Sequence, residues 1–572
     1  MNRKMFYLFA IMIMALIISF TGCKKSGDNP VEKTPPAMES LNLTGEAKDF
    51  SATVTFSVGV FRNNDAKGNL DNSSFNLSVE GPGDVSVDSY EVTHTAGEKT
   101  AKIAITLNKL ATDGDKINVR PAGGSSIYNA QGVAMSADET VVAALKGGQI
   151  ITIKDDGNGT GTTTWTANNT YLLDGFVFVN DGQTLTIEAG TLIKGKPGQG
   201  EEASALIVAR GGKIMAEGNA ENPIIFTAEA DDLNGSVPDL DNGLWGGVII
   251  LGSSRLNTDP SVQQIEGIPT TEPRGEYGGN DDNDNSGVLK YVSIRHGGTD
   301  IGEGNEINGL TLGAVGSRTV IEYIEIFSNK DDGIEFFGGT ARLKHIVVAF
   351  CADDSYDYDQ GYRGYGQYWL AVQGYGRGDR LGEHDGGTDP ETGKPFAIPD
   401  IYNATYMGRG SGTGKQVLIF RDNAGGHYAN SIMVNQDRGA YIELLTGECS
   451  YTRFQKGDLT LENNIFWAIG DDPVFAISAA DDVPADSVSV AAQIVAGYFA
   501  TAGNVIRDPG IGIDETGSYF NPIPSNSVGG TMSSVPDAWF ETTNYKGAFD
   551  PSSTNNDNWA YGWTLFSKYM RQ

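Results

Sequence analysis

The sequence predicts an all-β protein in which a right-handed parallel β-helix follows an immunoglobulin-like β-sandwich. After Gly147, short strands rich in Val, Ile and Leu alternate with Gly-rich turns, and almost no amphipathic helix pattern of useful length is found. Strand-like units recur at intervals of about 20 to 35 residues, which is typical of a solenoid. Before Gly147, segments alternate apolar and polar residues with period two, as in a half-buried strand.

Residues 38–146 carry the signs of the predicted β-sandwich. Alternating segments at 52–58, 75–79 and 102–107 are separated by turns rich in Gly, Asn and Asp. The region resembles bacterial immunoglobulin-like modules, including the stretch Ile127-Tyr-Asn-Ala-Gln-Gly132. This resemblance implies a spacer.

Residues 147–470 form the predicted β-helix. Ile321-Glu-Tyr-Ile-Glu-Ile326 recurs 22 residues later as Leu343-Lys-His-Ile-Val-Val348, and Leu289-Lys-Tyr-Val-Ser-Ile294 precedes both. The phrases Ile401-Tyr-Asn-Ala-Thr405, Tyr428-Ala-Asn-Ser-Ile432 and Glu462-Asn-Asn-Ile-Phe466 share an Asn two residues before a β-branched or aromatic position. Because Asn tolerates the left-handed conformation, we expect these asparagines at the corners of the coil and not as ligands.

Residues 471–572 are irregular and rich in aromatic side chains near Trp539 and Trp559. A solenoid needs its last core turn covered, so this region is predicted to be a cap. A sugar-binding aromatic platform is the alternative.

Several phrases resemble those of uncharacterised bacterial right-handed parallel β-helix lipoproteins, from Gly147 to the end of the chain. They are Leu244-Trp-Gly-Gly-Val-Ile-Ile-Leu-Gly252, Ile265-Glu-Gly267, Tyr277-Gly-Gly279, Asp331-Asp-Gly-Ile-Glu-Phe-Phe-Gly-Gly339 and Tyr545-Lys-Gly-Ala-Phe-Asp-Pro551. The resemblance implies a fold and a lipid anchor. It implies no chemistry.

The N-terminus predicts export and lipidation. Residues 2–4 are polar with two basic side chains, residues 5–20 are largely apolar, and Phe20-Thr21-Gly22 precedes Cys23. We expect a signal peptide at 1–22, lipidation at Cys23 and a flexible tether at 23–37, which would place the protein on the bacterial outer membrane at either face. An ordinary signal peptide with an incidental cysteine is the alternative.

The charge balance limits the class of partner. A net charge of -32 argues against nucleic acid, since phosphate binding needs clustered Lys and Arg, and it suits sites for divalent cations. Two cysteines remain after lipidation, Cys351 and Cys449. They either form one disulfide or lie apart as buried thiols.

The 22-residue offset that aligns the strands also aligns acids. Asp331 falls on Asp353, Asp332 on Asp354, and Glu335 on Asp357, while Asp359 follows on the second turn. Stacked turns lie about 4.8 Å apart, so these carboxylates should form an anionic cluster on one face. We predict a Ca²⁺ site at these seven residues, because Ca²⁺ takes oxygen ligands. A solvated acidic turn and a catalytic carboxylate group are the alternatives.

Two other acidic segments give weaker signals. The segment 280–287 places oxygen side chains at alternating positions, but it lacks the bidentate Glu of an EF-hand loop, so an ordinary loop is equally compatible. Residues 155–159 are predicted to be a linker turn. If the acids served a Ca²⁺-dependent lyase, Arg363 would be the candidate base, with a structural ion pair as its alternative role. Polygalacturonase-like hydrolases need a Gly-His-Gly phrase that neither His296 nor His384 supplies.

Aromatic residues follow the acid stack and predict a ligand face. The candidates are Tyr356, Tyr358, Tyr362, Arg363, Tyr365, Tyr368 and Trp369, and filling of the coil interior is the alternative for many of them. The leading hypothesis is a lipid-anchored, Ca²⁺-stabilised β-helix that binds a macromolecule, either a glycan or a protein. The alternative is a lyase or hydrolase that acts on an acidic polysaccharide.

Overall fold

The computed structural model describes residues 34–570, apart from residues 113, 303–304, 375, 388–389, 411, 413–414 and 514–518. The predicted signal peptide, Cys23 and most of the tether lie outside the described residues. The chain divides after Lys146 into two compact units. In the described part of the chain, no helix has the length and apolar character needed to span a membrane.

The first unit is an antiparallel β-sandwich, the arrangement that the predicted immunoglobulin-like fold requires. Its two main sheets have the strand orders β1-β2-β6-β5 and β4-β7-β9, and they share one apolar core. Along β2 every second side chain is buried, as the period-two sequence pattern predicts. The strands are β1 (Met38–Glu46), β2 (Asp49–Phe56), β3 (Val60–Phe61), β4 (Phe75–Glu80), β5 (Val87–Thr93), β6 (Thr100–Leu107), β7 (Lys116–Pro121), β8 (Tyr128–Asn129) and β9 (Val141–Ala144).

The second unit is a right-handed parallel β-helix, so the predicted fold class is confirmed. Its first strands are β10 (Ile150–Ile153), β11 (Thr163–Trp165), β12 (Thr170–Leu173), β13 (Phe176–Val179), β14 (Thr184–Ile187), β15 (Leu192–Gly195), β16 (Ala205–Val208), β17 (Lys213–Glu217), β18 (Ile224–Ala228), β19 (Val248–Leu251), β20 (Gln263–Gln264), β21 (Glu276–Tyr277), β22 (Gly287–Arg295), β23 (Thr299–Gly302), β24 (Asn305–Ile307), β25 (Leu310–Gly313) and β26 (Val320–Phe327). The remaining strands are β27 (Ile334–Phe337), β28 (Arg342–Ala349), β29 (Tyr356–Asp359), β30 (Tyr365–Val372), β31 (Gly382–Asp385), β32 (Asp400–Tyr402), β33 (Thr405–Gly410), β34 (Gln416–Arg421), β35 (Gly426–Ala429), β36 (Ile432–Gln436), β37 (Arg438–Leu444), β38 (Leu459–Glu462), β39 (Ile465–Trp467), β40 (Phe475–Ala479), β41 (Val505–Ile506), β42 (Gly512–Ile513) and β43 (Phe520–Asn521). The helices are α1 (Ser450–Lys456) and α2 (Ala485–Thr501), with short 3-10 turns at Asn72–Ser74, Gly200–Glu202, Pro273–Gly275 and Phe566–Tyr569.

Two long parallel sheets build the coil. One has ten strands in the order β13-β16-β19-β25-β27-β29-β31-β34-β37-β40, and the other contains eighteen strands. In the later coils the eighteen-stranded sheet bends at a single residue with positive φ, so each coil has three faces. The residues at the bend are Tyr291, Tyr323, His345, Tyr368, Asn403, Asn430 and Asn463.

The predicted asparagine corners are confirmed at three of these bends. Asn403, Asn430 and Asn463 have φ values of 53°, 55° and 54°. Earlier in the coil the same corner is occupied by aromatic rings, and Tyr323 stacks on His345 with ring centroids 4.4 Å apart. Left-handed backbone is unfavourable for most side chains, so stacking and side-chain hydrogen bonds must offset that strain.

Part of the region predicted to be a cap lies at the end of the coil and part of it lies elsewhere. Helix α2 packs against β40 at the end of the coil and contributes Ala491 and Val495 to the core. The aromatic-rich residues 520–570, here called the C-terminal strap, instead run back along the side of the coil. They bury the apolar outer surface of the eighteen-stranded sheet on the C-terminal side of its bend, including Val347 and Leu370.

Buried Glu325 fastens the far end of the strap. Its carboxylate accepts hydrogen bonds from the backbone N–H groups of Leu565 at 2.9 Å and Phe566 at 2.8 Å. Ser293 also donates its hydroxyl to Glu325, and the Arg295 guanidinium lies 3.8 Å away. The strap is therefore an integral part of the β-helix wall.

Candidate functional site

The outer face of the ten-stranded sheet changes from apolar to acidic along one column of residues. Each member pairs in register with the next, as parallel strands require. The column reads Phe178, Ile207, Ile249, Thr311, Glu335, Asp357, Glu383, Ile419 and Tyr441. The register of Glu335 with Asp357 confirms the superposition predicted from the 22-residue offset.

A loop covers the apolar part of this column. We call residues 253–286 the overhanging loop. Its side chains Leu256, Ile265, Ile268 and Tyr277 pack on the outer face of the first strands in one apolar cluster. The acidic residues begin where this cover ends.

Acids in the preceding turn extend the same cluster. Asp332 accepts a hydrogen bond from the backbone N–H of Asp354 at 2.8 Å, and the Asp354 carboxylate accepts one from the N–H of Arg380. Successive turns are therefore linked by side-chain-to-backbone bonds. The backbone N–H of Asp379 likewise donates to the carbonyl of Asp353 at 3.0 Å.

Three groups of carboxylates in the described residues have the spacing that a metal ion needs. In each group, one ligand oxygen per residue lies within 4.8 Å of the others. The groups are Asp331, Asp332 and Asp353; Asp332, Glu335 and Asp357; and Asp353, Asp354 and Asp379. Six of the seven predicted ligands thus come together. Asp359 lies one position further along β29 than Tyr358 and belongs to none of these groups.

Burial makes these carboxylates costly in their charged form. Asp332 is 7% exposed and Asp354 is 1% exposed. Burial and then neighbouring carboxylates raise the pKa of Asp332 and of Asp357 well above the usual range. The same causes raise the pKa of Asp331 to about 8. Such a cluster requires protons or a cation to offset its charge.

Cations offset the charge at only one end of the site. The guanidinium of Arg380 contacts Asp354 at 3.3 Å, Asp379 at 3.0 Å and Glu383 at 2.7 Å. Arg421 pairs with Glu383 and Asp385, and Lys415 lies 2.8 Å from Asp379. No ion pair from Lys or Arg reaches Asp331, Asp332, Glu335 or Asp357 within the described ranges. The site therefore has a balanced end and an unbalanced end.

The pair Asp354 and Glu383 has opposite shifts. Burial and a hydrogen bond with Glu383 raise the pKa of Asp354 well above its usual range. Burial also disfavours the charged form of Glu383, but its hydrogen bond to Asp354 and the charges of Arg421 and Arg380 bring its pKa below the usual value. The two carboxyls therefore interact directly, and their pKa values shift in opposite directions.

Further acids that sequence reasoning missed face the unbalanced end. Glu266 of the overhanging loop contacts Glu335, and Asn308 donates its Nδ2 hydrogens to both. Glu306 contacts Asp331. The phrase Ile265-Glu-Gly267 stood out in the sequence, but nothing in it indicated that Glu266 would meet a strand some seventy residues away.

The aromatic part of the predicted ligand face is corrected by the structure. Tyr356, Tyr358, Tyr362 and Trp369 are at most 2% exposed, and Tyr368 is 4% exposed. They fill the coil interior or stack at its corner, where a ligand cannot reach them. Tyr365 packs on Trp539 and Phe540, both from the C-terminal strap.

Structural ion pairs connect Arg363 with the segment 280–287. The guanidinium of Arg363 pairs with Asp282, which also pairs with Arg255. These arginines hold the pKa of Asp282 far below its usual value although burial opposes them. Arg363 contacts none of the clustered acids, so Arg380 takes the position beside them that was predicted for Arg363.

Three remaining features of the sequence have structural roles in the described residues. His384 is fully buried, stacks on Tyr358 with centroids 4.1 Å apart and contacts the Tyr428 hydroxyl at 2.7 Å, so it belongs to the core. Cys351 and Cys449 are both buried and unpaired. Asp155 caps its own turn and pairs with Arg274 at 2.5 Å.

Residues 157–505 match the family described as a pectate-lyase-like β-helix domain. The match spans more than half of the chain. This chain belongs to that family. No curated protein matches it.

One solved structure shares a distant likeness. The catalytic domain of a GH87 alpha-1,3-glucanase variant in complex with tetrasaccharides is similar over 76% of this chain and 78% of its own. The identity is 8% and the TM-score is 0.19, so this likeness carries no argument about activity.

Proposed function

We propose that this chain is a lipid-anchored bacterial envelope protein whose Ca²⁺-loaded β-helix binds an acidic glycan. The observation that carries the proposal is the group Asp332, Glu335 and Asp357, whose oxygens converge within 4.8 Å and which form no ion pair with Lys or Arg among the residues that the structure describes. Ca²⁺ takes six to eight oxygen ligands, and waters or the glycan can supply the rest.

The choice of an acidic glycan follows from the charges on the same face. A bound divalent cation would leave coordination positions open toward solvent, and a uronate carboxylate is a hard oxygen ligand that suits them. Arg421 and Lys415 pair with Glu383 and Asp379 but stay partly exposed beside the acids, so each keeps donor hydrogens that suit a further carboxylate of a polyanion. The family description points to the same class of polymer.

The anchor remains part of the proposal. Cys23 would fix one end of the tether to the outer membrane, and the sandwich would act as a spacer for the β-helix. Radiolabelled palmitate incorporation in a bacterial host, lost in Cys23→Ser, tests this element separately. Equal labelling of both chains would refute it.

Calorimetric titration tests the cation site. The wild-type chain, stripped of metal, should bind Ca²⁺, and Asp332→Asn/Asp357→Asn should abolish binding because it removes two ligands of one group. Asp88→Asn/Asp481→Asn is the matched control, since both residues are exposed and distant in sequence from the cluster. An absence of heat with the wild-type chain, or equal binding by both double variants, would overturn the proposal.

Retention on immobilised polygalacturonate tests the glycan. We expect retention with Ca²⁺, loss in EDTA, and no retention on neutral dextran. Retention that persists in EDTA and in Asp332→Asn/Asp357→Asn would contradict a role for the cation.

Cleavage of the same polymer is the second candidate function, and the pair Asp354 and Glu383 favours it. A carboxyl whose pKa is raised beside one whose pKa is lowered suits a general acid paired with a base. Release of reducing ends would indicate a hydrolase, and release of unsaturated products a lyase. Either activity should be lost in Asp354→Asn. Intact polymer after prolonged incubation with Ca²⁺ would leave binding as the function.

A further inference from the structure

The overhanging loop and the coil meet through carboxyl groups. Glu266 of the loop contacts Glu335 of β27, and both accept from the same amide of Asn308. The flanking residues Ile265 and Ile268 are buried, so Glu266 is held at this interface by apolar packing on both sides. Two acidic side chains pressed together destabilise a closed loop unless a proton or a cation offsets their charge.

Asn308 supplies an independent sign of a missing partner. Its side chain is 1% exposed and lies between Glu266 and Glu335. Its Oδ1 atom has no hydrogen-bond partner anywhere in the described part of the chain. A buried carbonyl oxygen is nearly always satisfied, so the Oδ1 atom lacks a partner that a cation or a water could supply, while the Nδ2 group of the same amide faces the two carboxylates.

We propose that Ca²⁺ bound at Asp332, Glu335 and Asp357 acts as a clasp that seats the overhanging loop on the coil through Glu266 and Asn308. This inference rests on the proposed cation site and adds a regulatory role to it. The loop forms one wall of the acidic face. A glycan would therefore meet a complete wall only in the Ca²⁺-loaded protein.

The apolar contacts of the overhanging loop limit which of its residues respond to Ca²⁺. Tyr277 and Leu256 anchor the two ends of the loop, and Arg210 donates to the carbonyl of Gly278 at 2.9 Å. The segment between these anchors, residues 262–276, is itself held by the buried side chains of Ile265 and Ile268 and by the ion pair of Arg274 with Asp155, and the clasp would add to these contacts at Glu266. Coupling is reciprocal, so a seated loop also strengthens Ca²⁺ binding.

Amide hydrogen exchange on the full chain tests the clasp. Saturating Ca²⁺ should slow exchange in residues 262–276 by about tenfold, within the usual range of coupling between sites. Glu266→Gln should remove that dependence, because a neutral amide can donate to Glu335 and seat the loop without metal. Calorimetry should still detect Ca²⁺ binding by Glu266→Gln. Glu221→Gln, at an exposed position, is the matched control and should behave as wild type.

The outcomes separate the clasp from the proposed function. If calorimetry detects Ca²⁺ and exchange of residues 262–276 does not change, the clasp is wrong and the cation site stands. If wild type binds no Ca²⁺, both fail. If Glu266→Gln keeps a Ca²⁺-dependent loop, the coupling does not pass through Glu266 and the proposal is overturned.

Discussion

Glu325→Ala should release the far end of the C-terminal strap while the coil remains folded. The carboxylate of Glu325 is completely buried and satisfies the backbone N–H groups of Leu565 and Phe566. An unsatisfied buried donor costs about 1 to 3 kcal/mol, so losing both bonds should weaken this end of the strap by about 4 kcal/mol. The variant also leaves the Arg295 guanidinium without its nearby carboxylate.

Amide exchange measures this loss directly. Since each 1.4 kcal/mol is a factor of ten, the amides of Leu565 and Phe566 should lose about a thousandfold in protection. Glu322→Ala is the control, because Glu322 lies on the same strand and forms a partly exposed pair with Lys290. Unchanged protection of residues 560–570 in Glu325→Ala would refute the idea that this carboxylate fastens the strap.

Three further predictions follow from the interior of the coil. Gly364→Ala should prevent folding or lower the free energy of unfolding by more than about 3 kcal/mol, because an added Cβ would lie 1.8 Å from the carbonyl oxygen of Ala341. Gly447→Ala is the control and should leave the free energy of unfolding unchanged in the same denaturant titration. The thiol of Cys351, whose pKa burial raises to about 12, should not react with a thiol reagent in native Cys23→Ser protein and should react after unfolding; rapid native reaction would contradict its burial. Burial lowers the pKa of His345 to about 3, so this side chain stays neutral in the folded state. The unfolded chain takes up a proton at this residue below about pH 6.5. The free energy of unfolding therefore falls as the pH is lowered from about 6.5 toward 3. His345→Phe should therefore lose about 2 kcal/mol less than wild type between pH 7 and pH 5 in denaturant unfolding, and an equal loss would show that His345 titrates in the folded state.

The 22-residue offset between repeats predicted the pairing of the clustered acids, but not the side chains around them. Because Ile321 and Leu343 are 22 residues apart in neighbouring coils, the same offset placed Glu335 beside Asp357, and the register confirms it. The same offset also aligns Tyr356 with Ile334. That alignment predicts that the ring of Tyr356 points into the core, whereas the clustering of aromatic residues alone does not distinguish a core ring from an exposed one.

The sequence of the strands beneath the C-terminal strap indicates that their outer face is covered. Residues 346–349 and 369–372 are apolar at both odd and even positions, which is typical of strands buried on both faces. Alternation would have been expected on a face open to water. The cover itself lies some two hundred residues away, and no local pattern identifies which segment supplies it.

The cations and the loop acid could not be predicted, because coil lengths vary after β30. Arg380 follows Asp354 by 26 residues and Arg421 follows Asp385 by 36, so no constant offset connects them. Glu266 belongs to an insertion between β19 and β22, and its contact with Glu335 depends on how that insertion folds back. Contacts of this kind arise from tertiary packing and leave no period in the sequence.

The contrast along one column is the physical reason for placing the proposed cation at the acids of the unbalanced end. At Ile207 and Ile249 the column is apolar and covered by the overhanging loop, which stabilises the coil by burial. Apolar side chains at 335 and 357 would extend that packing, whereas buried carboxylates without a cation oppose folding. Arginines form ion pairs with Glu383, whereas among the described residues Glu335 and Asp357 form none. The unbalanced end is therefore where a divalent cation would stabilise the protein most, and the measured gain in unfolding free energy on adding Ca²⁺ should disappear in Asp332→Asn/Asp357→Asn and not in a variant of the balanced end such as Asp385→Asn.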